Sequence, residues 1–217
     1  MKYVYFVRHG QTQKNVSHIH QGPEEPLTAI GKEQAEAVAQ TLQQKRIDTL
    51  VTSSFVRAVE TAGIIGETLD LPLQKTESVK EFRRPMPLYG RSHYSLASLA
   101  YIMRLYLHRT DPHWDDHGAE NMFAVRNRIV DAKKFIAGLP GERIAVVSHA
   151  IFIDMFVQAV CADRSLELKE FVSALLGAKK LPNTGIVAFS LDENAPQETC
   201  NWWLMRDETA EGYLRYR

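Results

Sequence analysis

The chain lacks three features that mark whole classes of protein. It has only two cysteines in 217 residues, Cys161 and Cys200, which excludes a disulfide-rich scaffold and a CxxC metal pair. No apolar run approaches a transmembrane length, and the run at Tyr3–Val7 is too short for a signal peptide. The 26 basic residues balance the 26 acidic ones, so net charge favours neither nucleic acid nor an acidic membrane as partner. We therefore expect a cytoplasmic protein with reduced cysteines.

The order of apolar patterns predicts the fold class. With 45% hydrophobic and 24% charged residues, the composition is that of a globular chain, and residues 1–217 are predicted to form one domain. Strands are predicted at residues 2–7, 49–52, 71–73, 143–147, 185–189 and 202–205. Helical periodicity occupies the stretches between them, including one near residues 165–176, and Thr28 and Ser53-Ser54 are candidate N-caps. Such alternation favours a largely parallel sheet covered on both faces, an α/β fold.

Residues 76–118 interrupt this alternation, and we interpret them as an insertion over one end of the sheet. Pro85, Pro87 and Gly90 break any regular element, and a helix with a Leu/Met stripe follows at 96–107, where we expect the stripe to pack against the protein. Basic residues in this region have two open interpretations, recognition of a second anionic group or a solvated face; they are Arg83, Arg84, Arg91, His93, Arg104 and Arg109. The histidines and aspartates at 108–117 match no metal-ligand spacing.

Polar residues follow three of the predicted strands. The first strand ends in Arg8-His9-Gly10, the second in Ser53-Ser54 with Arg57 one turn later, and the strand at 143–147 in Ser148-His149. Because the carboxyl ends of parallel strands meet at one edge of a sheet, these side chains should converge there. Arginines, histidines and helix N-termini together predict a concave cationic site for a dianion.

This set of residues suits phosphoryl transfer. Arg8 and Arg57 can each donate paired hydrogen bonds to phosphate oxygens, and His149 can add charge. His9 can attack phosphorus with one ring nitrogen while the other donates to backbone. Glu81 is the candidate general acid for the leaving alkoxide, with Glu77 as the alternative. Such a site needs no metal ion and no other cofactor.

An ordered series of motifs resembles the histidine phosphatase superfamily, also called phosphoglycerate mutase-like. The series begins with Arg8-His9-Gly10, Thr12 and Asn15 and continues with Pro26-Leu27-Thr28 and Gly31. It then includes Ser53-Ser54, Arg57-Ala58 and Thr61-Ala62, and it ends with Val147-Ser148-His149. The resemblance implies a three-layer α/β/α fold, His9 as the phosphorylated nucleophile and Glu81 as the proton donor. It also implies a phosphate pocket of Arg8, Arg57 and His149, with Asn15 nearby.

Three departures from the family pattern concern the pocket. Ala150-Ile151 stands where many members have Gly-Gly, Ala119-Glu120-Asn121 stands for Gly-Glu-Ser, and the segment after Glu81 is divergent. Segments typical of the cofactor-dependent mutases are not recognised, which favours a phosphatase acting on a small phosphorylated metabolite. A mutase and a non-catalytic phospho-ligand-binding module stay as alternatives. Specificity is expected in residues 82–117, and a homodimer is a hypothesis that no residue pattern carries.

Overall fold

The computed structural model describes residues 1–161, 181–195 and 200–210, so the helix expected near residues 165–176 lies outside the described residues. The described strands form one sheet: β1 (Lys2–Arg8), β2 (Thr49–Ser53), β3 (Leu73–Thr76), β4 (Arg143–Ser148), β5 (Ile186–Leu191) and β6 (Trp202–Leu204). Their order is β3-β2-β4-β1-β5-β6. The strands β3, β2, β4 and β1 run parallel, and β5 and β6 form an antiparallel edge. The largely parallel sheet expected from the sequence is confirmed.

Helices cover both faces of this sheet. They are α1 (Gln13–Val16), α2 (Ala29–Gln44), α3 (Val56–Leu69), α4 (Leu96–Leu107), α5 (Met122–Ala137) and α6 (Ala150–Ala159). Successive residues of β1 point to opposite faces. Val4 and Phe6 join a core cluster with α5 and α6, whereas Tyr5 and Val7 join a second cluster with α2 and α3. The three-layer α/β/α arrangement follows from this alternation.

The N-terminal ends of two helices test the predicted caps. Thr28 caps α2, since its side chain accepts a hydrogen bond from the Gly31 N–H, as predicted. The predicted Ser53-Ser54 cap of α3 is wrong, because α3 begins at Val56 after Phe55, which makes no side-chain cap. Ser53 instead ends β2, and its Oγ lies 2.8 Å from His149 Nε2. The serine side chain therefore contacts the site at the strand ends, and its only link to the start of α3 among the described contacts is a hydrogen bond from the Phe55 N–H at 3.3 Å.

Two further expectations are overturned. Cys161 and Cys200 form a disulfide with Cα atoms 5.1 Å apart, so the expectation of reduced thiols is wrong. The disulfide joins the segment just after α6, which ends at Ala159, to the segment just before β6, which begins at Trp202. The Leu/Met stripe of α4 does not pack as expected, since Leu96 is 85% exposed and Met103 55% exposed. The opposite face of α4 carries the buried residues Ser98, Tyr101 and Leu105.

A close contact between two glycines joins the β1 end to α2. A Cβ atom on Gly10 would lie 2.3 Å from the Gly31 carbonyl oxygen, and one on Gly31 would lie 2.2 Å from the Gln11 carbonyl oxygen. Both distances are below van der Waals contact with backbone atoms. The absence of a side chain at Gly10 therefore allows the backbone of α2 to approach closely. This contact fixes the loop after His9 against α2.

We predict that Gly31→Ala destabilises the protein by about 1–3 kcal/mol or more, because the added methyl group overpacks a backbone contact. Helix propensity alone would give the opposite sign. Gly63→Ala is the matched control, since Gly63 lies within α3 and its Cβ would meet nothing within 4 Å. Urea unfolding should show a loss for the first variant and a gain of up to about 1 kcal/mol for the second. Equal effects of the two substitutions would contradict the contact.

Candidate active site

His9 lies directly after β1 and is 3% exposed. Its Nδ1 is 2.7 Å from the Gly10 carbonyl oxygen. Because a carbonyl only accepts hydrogen bonds, Nδ1 carries the hydrogen and Nε2 keeps a lone pair. Burial, followed by the charges of Arg57 and Arg8, holds the pKa of His9 well below its usual value. The imidazole is therefore neutral and presents an unprotonated Nε2, the form that a nucleophile requires.

Arg57 lies in the first turn of α3 and is 2% exposed. Its Nε donates to His9 Nε2 at 3.1 Å, and its NH1 donates to the Gly22 carbonyl oxygen at 2.8 Å. Arg8 ends β1, donates to the Leu181 carbonyl oxygen and has a buried Nε without a partner. Burial lowers the pKa of both arginines to about 10, so both remain charged at neutral pH. Two guanidinium groups thus flank the imidazole.

His149 follows β4 and lies behind His9. The two ring centroids are 5.2 Å apart, and the His149 side chain is fully buried. Nε2 of His149 contacts Ser53 Oγ, and its Nδ1 is buried without a hydrogen-bond partner. Burial, followed by the charges of Arg57 and His9, lowers the pKa of His149 well below its usual value. Without a bound anion this histidine is neutral, so the charge expected of it is absent from the free protein.

Glu81 lies at the N-terminus of α6. Its Oε1 accepts hydrogen bonds from the N–H groups of Phe82, at 2.9 Å, and Phe152, at 3.1 Å. Phe152 is in the first turn of α6, so the carboxylate supplies the cap that His149 does not. With Oε1 held by two donors, Oε2 is the oxygen left to carry a proton. The alternative, Glu77, lies 67% exposed in an ion pair with Lys80.

A buried ion pair holds the segment that carries Glu81. Arg128 of α5 makes a two-pronged pair with Glu120, with Nε and NH2 each 2.7 Å from a carboxylate oxygen. Arg128 also donates to the Lys80 carbonyl oxygen, and Glu120 accepts from the Arg83 N–H. These bonds flank Glu81 on both sides. Glu120, which the sequence marked only as a departure from the Gly-Glu-Ser pattern, therefore has a structural role.

Asn15 and Asn183 complete the polar wall. Asn15 is the third residue of α1 and lines the same cavity as Arg8 and His9. The Asn183 amide donates to the His9 carbonyl oxygen at 3.0 Å and to the Asn15 side chain at 3.2 Å. Sequence reasoning missed Asn183 because it considered only residues after strands. Since β5 is antiparallel to β1, the residues before β5 meet the site, and the Pro182–Gly185 turn was the available signal.

These residues surround a cavity of about 540 Å³. Arg8, His9, Asn15, Arg57 and Glu81 line one part of it, whereas His149 does not line it. The insertion forms the opposite part with Arg84, His93, Tyr94, Ser98, Tyr101 and Ile102. The arrangement is that of a phosphoryl-transfer site that opens into a pocket large enough for an organic ligand.

The described residues also bear on metal binding and on membrane crossing. Among them, no group of three or more His, Cys, Asp or Glu side chains could hold a metal ion. None of the described helices is long and apolar enough to cross a membrane.

Comparison with known proteins identifies this arrangement. Residues 4–199 match the histidine phosphatase superfamily, branch 1. A probable phosphoglycerate mutase GpmB of Proteus mirabilis is 30% identical over 176 residues, which cover 78% of this chain and 81% of that protein. A glucosyl-3-phosphoglycerate phosphatase of Mycolicibacterium vanbaalenii is 31% identical over 123 residues, covering 56% of this chain and 54% of that protein. A mycobacterial glucosyl-3-phosphoglycerate phosphatase solved with VO3 superposes with a TM-score of 0.73 at 25% identity, covering 94% and 97% of the two chains.

The fold and site thus define a phosphoryl-transfer enzyme of the α/β class. The chain belongs to the histidine phosphatase superfamily, and the resemblance drawn from its motifs is confirmed. The expected fold is confirmed as well. The activity implied is that of a phosphatase of this family, which acts through a histidine.

The depressed pKa of His149 predicts a pH dependence of stability. Unfolding returns the imidazole to a pKa near 6.5, so the unfolded chain binds more protons below that pH and stability falls as pH is lowered. Between pH 6.5 and 5, His149→Gln should reduce the slope of unfolding free energy against pH by up to about 1.4 kcal/mol per pH unit. His113→Gln is the control, because His113 is exposed. Urea titrations at several pH values measure this, and equal slopes for wild type and His149→Gln would contradict it.

Proposed function

We propose that the protein is a phosphomonoester hydrolase that works through a phosphohistidine on His9, without a metal ion, and that its substrate is a small phosphorylated metabolite. The observation that carries the proposal is the fixed tautomer of His9. Its Nδ1–H is bound to the Gly10 carbonyl, so the lone pair on Nε2 faces the donors of Arg57 in a cationic pocket. A nucleophilic imidazole and a phosphate site therefore occupy the same place.

The first step forms a bond between His9 Nε2 and phosphorus and breaks the ester P–O bond. The leaving oxygen takes the proton from Glu81 and departs as the alcohol. In the second step water attacks phosphorus, the P–N bond breaks, and the Glu81 carboxylate takes a proton from the water. Phosphate leaves, and both His9 and Glu81 return to their starting forms. Glu81 is the preferred proton donor because it lines the cavity, whereas Glu77 is tied to Lys80 outside it.

The positive charge in the pocket stabilises the phosphoryl group during both steps. Arg57 Nε reaches His9 Nε2 in the free protein, so a phosphoryl group on that nitrogen would meet the same guanidinium. Arg8 lines the cavity and has an unpartnered Nε. A buried polar atom without a partner is costly, and a phosphate oxygen would satisfy this donor. His149 lies behind His9 and acts on the phosphate site through its charge. A dianion would also favour protonation of His149, which supplies the charge missing from the free protein.

A mutase is the second candidate, because several relatives carry the name of a probable phosphoglycerate mutase. It would use the same phosphohistidine but pass the phosphoryl group to a second hydroxyl, which labelled phosphate would reveal. We favour hydrolysis because the sequence shows no recognisable segment typical of the cofactor-dependent mutases, and because the superposed structure that covers 94% of this chain is that of a phosphatase. The single domain at 1–217 with a specificity insertion at 76–118, the cytoplasmic location and the homodimer stay predictions.

His9→Ala should abolish turnover of phosphomonoesters, because His9 Nε2 is the nitrogen that faces Arg57 in the proposed phosphate pocket. Wild-type protein mixed with substrate and quenched without acid should carry one phosphoryl group on His9 by mass spectrometry. His18→Ala serves as the control, since His18 lines the outer part of the same cavity. Undiminished activity of the His9 variant, or a phosphoryl group on another residue, would overturn the mechanism.

Glu81→Gln should show an effect that depends on the leaving group. For an alkyl phosphate, whose alkoxide needs a proton, kcat/KM should fall by about 10²- to 10⁴-fold. For p-nitrophenyl phosphate, whose anion leaves unprotonated, the fall in kcat/KM should be far smaller. Glu77→Gln should leave both values unchanged, because its carboxylate is exposed. A uniform loss across leaving groups would mean that Glu81 acts only by holding α6.

A further inference from the structure

We infer that Arg84 forms a second anion-binding subsite in the cavity, so that the preferred substrates are phosphomonoesters whose organic part carries a carboxylate or a similar anion. This inference rests on the proposed function, since it concerns the part of the substrate that does not react. The inference assigns this role to Arg84 alone among the arginines of the insertion.

The arginines of the insertion have different surroundings. Arg104 pairs with Asp116, with NH2 2.7 Å from the carboxylate. Arg91 donates to the Pro87 carbonyl oxygen, and Arg109 donates to the Tyr106 carbonyl oxygen and stacks on the Tyr106 ring. None of these three lines the cavity, whereas Arg84 does. Among the described residues, the Arg84 side chain has no hydrogen-bond or ion-pair partner, although it is partly buried.

A charge count shows what Arg84 adds. The charged groups lining the cavity are three guanidinium groups, on Arg8, Arg57 and Arg84, and the carboxyl group of Glu81. In the proposed mechanism Glu81 carries the proton that it donates, so the three guanidinium groups face a phosphate ester with two negative charges. A charge gained by His149 lies behind His9, outside the cavity lining, and adds to the positive excess. At least one cation of the cavity then remains uncompensated. Arg8 and Arg57 flank His9, so the remaining cation is Arg84, and an additional anion on the substrate would neutralise it.

The charge of Arg84 reaches the α4 side of the cavity, where it acts on His20 and Tyr101. It also acts on Arg57 of the phosphate site. Burial, followed by the Arg84 charge, lowers the pKa of His20 to about 3, so His20 stays neutral at the working pH. His20 Nε2 is held by Ser98 Oγ at 2.8 Å. The guanidinium is therefore the charged group that this side of the cavity offers to an anion.

Apolar side chains lie along the rest of the cavity. Tyr94, Tyr101 and Ile102 come from the insertion, and Ala150 and Ile151 come from the start of α6. The last two replace the Gly-Gly of many family members and add hydrocarbon surface next to the phosphate site. A volume of about 540 Å³ is much more than one phosphate needs and is in the range of organic ligands. The substrate class is thus a phosphate and a second anion joined by an apolar or aromatic portion.

The test compares phenyl phosphate with 4-carboxyphenyl phosphate for wild type, Arg84→Met and Arg83→Met. Arg83 is the matched control, because it is adjacent in sequence but exposed and outside the cavity. Wild type and Arg83→Met should prefer the carboxylated substrate in kcat/KM. Arg84→Met should reduce that preference by about 10- to 100-fold, mainly through KM, as expected for loss of a charged hydrogen-bonded contact. Arg84→Lys should retain part of the preference.

The outcomes separate this inference from the proposed function. An equal loss for both substrates in Arg84→Met would place Arg84 on the reacting phosphate and overturn the subsite, as would an unchanged ratio. Thermal unfolding of each variant controls for loss of fold, and the Arg84→Lys ratio decides the question if Arg84→Met unfolds. If wild type turns over neither ester and forms no phosphohistidine, the proposed function is wrong and the subsite proposal fails with it. Turnover of both esters without any carboxylate preference overturns only the subsite.

Discussion

A guanidinium group buried beside a neutral imidazole is the interaction on which this site depends. Arg57 is the largest of the fully buried side chains, and among the described residues it has no ion-pair partner. Burying a charge is costly unless it is compensated. The hydrogen-bond acceptors of Arg57 are a carbonyl oxygen and an imidazole nitrogen, and the carboxyl groups of Glu81 and Glu25 act on its charge from a greater distance. An anion bound next to His9 would add a direct charge partner for this guanidinium.

The same burial sets the state of the nucleophile. A histidine near two guanidinium groups cannot easily gain a proton, and the Gly10 carbonyl decides which nitrogen keeps its hydrogen. Gly10 can offer that carbonyl because α2 approaches it through Gly31. The backbone contact, the tautomer and the charge environment are therefore one connected arrangement. Helix packing on one face of the sheet thus positions the carbonyl group that leaves the lone pair on Nε2 of His9.

How much of this could be predicted depends on whether the signal was local. Arg8, His9 and His149 follow apolar strands, and the rule that parallel strands share a carboxyl edge was sufficient to group them with Arg57. Asn183 lies before an antiparallel strand, so the same rule could not find it. The Glu120–Arg128 pair joins a residue of a loop to a residue of a helix, and the helical and strand patterns of apolar residues do not predict such a pair. The outward face of α4 was predicted to be the packed face. Because α4 is apolar on both faces, its sequence pattern does not indicate which face packs against the protein.

In the proposals above, the residues at the strand ends perform the reaction and the insertion selects the substrate. These two parts of the chain are nevertheless connected by hydrogen bonds. Arg84 follows Arg83, whose N–H donates to Glu120 and whose carbonyl accepts from the Glu120 N–H. Two residues further on, the Met86 N–H donates to the His117 carbonyl. The backbone is therefore fixed on both sides of Arg84, by Glu120 of the ion pair at Arg83 and by the His117 carbonyl at Met86. In the proposed mechanism this segment connects the proton donor Glu81 with the second anion site at Arg84. Its backbone geometry would then set the distance between the phosphate and the distal anion of a preferred substrate.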